Sequence, residues 1–236
     1  MMINIDPSRP SPNFDSRDDA SISLIVLHYT GMKSGGDALA RLTDPTAKVS
    51  AHYLVEEDGH VFGLVDEQHR AWHAGVGAWL GVTDVNRISI GIEIVNPGHE
   101  WGYKEFPPPQ VAAVMDIIRE AQQRCGIGPE GVIGHSDLAP HRKDDPGELF
   151  PWGALSDAGL AIGQWSGSVP DDIPSGEDVF GLLTEIGYGV DAFGIASCLV
   201  AFQRRFCPQL LGQSFSPETR AAVGEIAARF RDARCV

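Results

Sequence analysis

The chain has 236 residues, 43% of them apolar, which suits one good core or one domain with a small appendage and excludes disorder throughout. Lys and Arg number 18 against 32 Asp and Glu, and the formal charge of -14 excludes a general binder of nucleic acid or of an anionic membrane. No stretch reaches the length of a membrane span and no apolar run of leader length opens the chain, so the sequence predicts no transmembrane segment and no passage through a membrane.

Residues 1–20 are polar and proline-rich and read as an N-terminal arm. "SISLIVLHYT" predicts a strand, so continuously apolar that both faces must be covered. "GGDALARLTDP" predicts a short helix that stops before Pro45. "SAHYLVEEDGHVFGLVD" predicts a hairpin turning at Asp58-Gly59. "RISIGIEIVN" predicts a strand with Ile90, Ile92 and Ile94 on one face and Ser89, Gly91 and Glu93 on the other. The small Ser89 and Gly91 are expected to leave room for a ligand beside Glu93.

"FPPPQVAAVMDIIREAQQRCG" predicts the clearest helix, with Val111, Val114, Met115, Ile118 and Cys125 as its apolar stripe and Gly126 as its stop. "GVIGHSD" predicts a short strand leading into the polar run "GHSDLAPHRKDDPG". Together these elements predict an α/β domain over residues 21–163, a mixed β-sheet flanked by helices. Gly, Ser, Pro and Asp then dominate a linker at 164–177. Residues 178–236 predict a small C-terminal three-helix domain, with helices at Val179–Ile186, at about Ala192–Phe206, and from Ser216 onward. The four cysteines form no C-x-x-C pair and read as free thiols, which favours a reducing compartment.

His28 closes the first strand and His135 follows another, so both stand where loops gather over a sheet. With Asp145 they would make a donor set that leaves a zinc ion an open position for water. Spacing does not choose among eight histidines, and each of these residues also reads as an ordinary satisfied polar group. Glu93 reads as a proton acceptor beside such a water or as an edge-strand carboxylate. Lys143 reads as an oxyanion partner or as a solvated loop cation.

"IVLHYT", "VSAHYLVEEDGHVFGLVD", "RAWHAG", "NRISIGIEIVN" and "GHSDLAPHRKDDPGELFPW" follow one another in an order and spacing that resemble the zinc-dependent N-acetylmuramoyl-L-alanine amidases, nearest the AmpD/AmiD branch. The resemblance covers residues 20 to 160 and implies Zn2+ held by His28, His135 and Asp145, with Glu93 and Lys143 as catalytic groups. A phage branch of the family places a tyrosine where this chain has Ala51, which leaves the acid–base role to Glu93. His141 stands where the family has glycine. His52, Trp72 and His73 are implied near the substrate cleft, with packing favoured for Trp72 and a supporting role for His52. The implied partners are muropeptides, 1,6-anhydro or not, or intact peptidoglycan.

In the tail, "LLTEIGYGVD", "AFQRRFCP" and "SPETRAAV" resemble the small peptidoglycan-binding domain fused to wall hydrolases, though "LGQSFSPET" departs from its usual last turn. That tail implies an envelope role, whereas the absent leader favours the cytoplasm. Relatives that bind muropeptides without cutting them are the alternative reading.

Overall fold

A computed structural model describes residues 3–235. In chain order the elements are β1 (Ile5–Asp6), β2 (Phe14–Ser16), β3 (Leu24–Tyr29), α1 (Gly35–Thr43), β4 (Tyr53–Val55), β5 (Val61–Gly63), β6 (His69–Ala71), α2 (Val85–Ile88), β7 (Ser89–Ile94), α3 (Gly98–Trp101), α4 (Pro108–Cys125), β8 (Val132–Gly134), α5 (His135–Leu138), α6 (Trp152–Asp157), α7 (Gly176–Ile186), α8 (Val190–Phe193), α9 (Ile195–Phe206) and α10 (Pro217–Arg234).

Six strands form one mixed sheet in the order β1-β5-β4-β7-β3-β8. Only the β4–β5 hairpin is antiparallel, and Gly59 at φ 89° makes its turn. The arm crosses the domain, with β1 extending this sheet and β2 pairing with β6. Its Arg17 is 5% exposed, and the guanidinium donates to the carbonyls of Glu67, Asn86, Arg87 and Ser89.

The two faces of the sheet have different covers. Ile25, Leu27, Ile90, Ile92 and Ile94 pack with Val114, Ile117, Ile118 and Ala121 of α4. The buried stripe of α4 is centred on Ala113, Val114, Ile117, Ile118 and Ala121 rather than on the predicted one, and Val111, Met115 and Cys125 flank it half-buried. Gln110 sets this rotation, because its buried amide donates to the carbonyls of Val55 and Val95 at the strand ends.

Leu24, Val26 and Ile133, on the other face, join one core with Trp79, Val179, Leu183, Tyr188, Phe202, Phe206 and Phe230. Fully burying one such side chain contributes about 1.5–3 kcal/mol, so this shared core is a large fraction of a domain's stability. The continuous apolarity of β3 is thereby explained: helix α4 covers one face and the C-terminal helices the other.

The C-terminal region has four α-helical segments where three were expected. Gly194, at φ 80°, interrupts the run read as one helix and separates α8 from α9.

Candidate metal centre

The parallel ladder places the site. His28 and Glu93 are register partners across β3 and β7, so their side chains leave the same face. Leu27 pairs with Gly134 on the other side, which sets His135, the first residue of α5, beside His28. Asp145 arrives from the loop after α5, anchored where the Ser136 N–H donates to its carbonyl at 2.9 Å.

His28 Nδ1, His135 Nδ1 and Asp145 Oδ2 converge with separations of 2.9 Å, 3.1 Å and 2.9 Å. All three residues are buried. Ligand atoms about 2.0–2.1 Å from a tetrahedral zinc lie about 3.3 Å apart, close to this spacing.

The neighbouring hydrogen bonds give an independent test of fit. His135 Nε2 lies 2.9 Å from the Ala74 carbonyl, which only accepts, so the proton sits on Nε2 and the Nδ1 lone pair is free. Ser89 Oγ donates to the Val85 carbonyl at 2.7 Å and therefore accepts from His73 Nε2 at 3.2 Å. His73 Nδ1 is then an acceptor, and His28 Nε2 donates to it at 3.0 Å. His28 Nδ1 is left with its lone pair as well. Two lone pairs and a carboxylate oxygen thus face one another at contact distance, an arrangement that a cation stabilises.

The protonation of the site follows from burial. Burial, with His135 adding to it, lowers His28 to about 4, and burial followed by the repulsion of His28 and His52 holds His73 well below the usual imidazole range. Glu93 is pushed up to about 8 by burial and then by Asp145, with Lys143 opposing. Glu93 Oε2 is buried with no hydrogen-bond partner.

Glu93, Lys143 and His73 line one cavity with His135 and Asp145, and Tyr29 and Arg41 also bound it, while His28 lies buried behind His73 and His135. The room expected above Ser89 and Gly91 belongs to His73, because a Cβ at Gly91 would collide with its ring. His52 is not part of this lining. It is wholly buried under β7, where its Nδ1 accepts from the Gly91 N–H at 2.9 Å. Trp72 is half-buried beside the arm, and its indole N–H donates to Asp15 at 2.7 Å. Sequence reasoning missed the role of Ser89, whose small size was noticed while its hydroxyl was not.

A mixed sheet that brings two imidazoles and a carboxylate together, beside a cavity that an unpartnered glutamate lines, defines a metal-dependent hydrolase of α/β type, and the donor set matches a zinc site. The family described as N-acetylmuramoyl-L-alanine amidase matches residues 18–148. N-acetylmuramoyl-L-alanine amidase AmiD of Escherichia coli K12 is 34% identical over 89% of this chain and 83% of its own length. The structure of E. coli AmiD in complex with anhydro-N-acetylmuramic acid-L-Ala-D-gamma-Glu-L-Lys superposes with a TM-score of 0.78 at 32% identity, covering 94% of this chain and 93% of that one. AmpDh3 from Pseudomonas aeruginosa superposes with a TM-score of 0.80 at 30% identity, covering 98% of this chain and 100% of that one. The chain belongs to the N-acetylmuramoyl-L-alanine amidase family.

Proposed function

We propose that this chain hydrolyses the amide between the lactyl carbonyl of N-acetylmuramic acid, or its 1,6-anhydro form, and the L-alanine of the stem peptide. The observation that carries the reading is the convergence of His28, His135 and Asp145 beside Glu93 in a chain of this family. Zinc bound there supplies Lewis acidity to water and to the scissile carbonyl. Glu93 takes the proton of the attacking water and delivers it to the departing L-alanine nitrogen. Burial raises Glu93 to about 8 in the metal-free chain, and a cation bound beside it would favour the ionised form that accepts the proton. Lys143, in the lining of the same cavity, supplies positive charge to the oxygen that becomes negative. His73 holds His28 in the tautomer that presents Nδ1.

The substrates we propose are soluble muropeptides in the cytoplasm or, were the chain in the periplasm or cell envelope, intact peptidoglycan, with the C-terminal helices then adding a contact to the wall. Free cysteines, Cys235 among them exposed, support the cytoplasm as the compartment. The test is incubation of the zinc-loaded protein with defined anhydro and non-anhydro muropeptides and mass analysis of the products. Release of the intact stem peptide is expected, and unchanged muropeptides would overturn the reading.

A further inference from the structure

The tail motifs that resemble a wall-binding module spend several of their residues on the amidase itself. Arg205 of "AFQRRF" is 2% exposed and donates to Asp137 Oδ2 at 2.6 Å and to the Val132 carbonyl at 2.8 Å. Tyr188 of "GYGVD" donates to Asp137 Oδ1 at 2.6 Å. Asp137 lies two residues after His135, in the same helical turn.

Further along, Arg204 reaches Asp144 at 2.7 Å and Glu148 at 3.5 Å, on either side of Asp145. Phe193 of α8 stacks on His141, with ring centroids 4.5 Å apart and planes 14° from parallel. His141 is the residue that departs from the family's glycine, and its ring has a partner only because α8 is there. The segment between α5 and α6 contains no regular element of its own and carries both Lys143 and Asp145. It gathers Asp144, Asp145 and Glu148 within five residues, and Arg204 brings a cation against two of them.

We propose that α8 and α9 position this loop, with Arg204 and Phe193 as positioning residues that hold Asp145 and Lys143 at the metal cavity. The C-terminal region is then a working part of the metal centre in addition to any hold on the wall. The kinetic part of this inference rests on the amidase reading; the metal-binding part does not.

The test compares the full-length zinc protein with Arg204→Ala, Arg204→Lys and Phe193→Ala. Zinc affinity is read by chelator competition, ligand geometry by the visible spectrum after cobalt substitution, and kcat and KM on a soluble muropeptide. Arg204→Ala and Phe193→Ala are expected to weaken zinc about tenfold, the lower end of outer-partner effects, and to alter the cobalt spectrum. Turnover should fall mainly in kcat, and Arg204→Lys should recover most of the zinc affinity. Should Arg204→Ala not fold, Phe193→Ala decides. Zinc affinity within about twofold of the parent, well short of an outer-partner effect, with an unchanged cobalt spectrum would overturn the proposal. A parent that binds zinc but cleaves no muropeptide sinks the functional reading, and the zinc and cobalt comparisons still decide this one.

Discussion

His73 Nδ1 stands 3.0 Å from His28 Nε2, at the end of a chain of donors that begins at the Val85 carbonyl and runs through Ser89. This chain decides which nitrogen of His28 faces His135 and Asp145 with a lone pair. His73→Ala breaks it at the acceptor, and Ser89→Ala frees the orientation of the His73 proton. Both variants should fold, and both should bind zinc about 10–100-fold more weakly in chelator competition. Parent-like zinc affinity in both would show that the tautomer is set elsewhere.

Removing a converging residue is a harsher change. His135→Ala should contain no stoichiometric zinc after dialysis and show no measurable turnover. Metal analysis of the purified variant checks this, and a full complement of zinc with normal activity would refute the assignment.

Glu93→Gln keeps the shape of the cavity and removes the proton acceptor. It should retain zinc and lose about 10²–10⁴-fold in turnover, the scale of general acid–base catalysis. Near-parent turnover in a zinc-replete variant would move the proton to another group.

The zinc-free protein should have a peaked pH–stability profile. His28, at about 4, and His52, at about 3, lie below the ordinary 6.5, and His73 lies well below it. Each therefore binds a proton more readily unfolded than folded, and stability is lost as pH falls below 6.5. Glu93 acts oppositely: raised to about 8, it is protonated folded and ionised unfolded, so its contribution is lost as pH climbs from 4.5 to 8. Three histidines outweigh one glutamate below 6.5, and above it the glutamate acts alone. The melting temperature should peak near pH 6.5, and Glu93→Gln should flatten the alkaline limb. Calorimetry from pH 4.5 to 8 reads both effects.

A chain ending at Gly163 would expose Leu24, Val26, Ile133 and Trp79, which now pack against Phe202, Phe206 and Phe230. Such a chain should melt well below the full protein and lose turnover on soluble muropeptides and insoluble wall alike. Loss on the wall alone would instead mean that the helices serve only to hold it.

Local chemistry carried much of this structure. The Asp58-Gly59 turn, the apolar β3, the alternation in β7 and the stop at Gly126 depend on neighbours within a few residues, and periodicity reports such neighbours directly. The residues of the metal centre were named on motif order, because His28, His135 and Asp145 lie up to 117 positions apart and nothing local distinguishes them from the other histidines and aspartates. Parallel register brought them together, an outcome of pairing along whole strands. The space over Gly91 was visible as small side chains, but its occupant came from the loop carrying His73. The stripe of α4 turned because one glutamine found two strand-end carbonyls. The C-terminal helices were legible from their own pattern. Their partner was not, because a buried pair such as Arg205 and Asp137, 68 residues apart, leaves no trace in the composition of either segment.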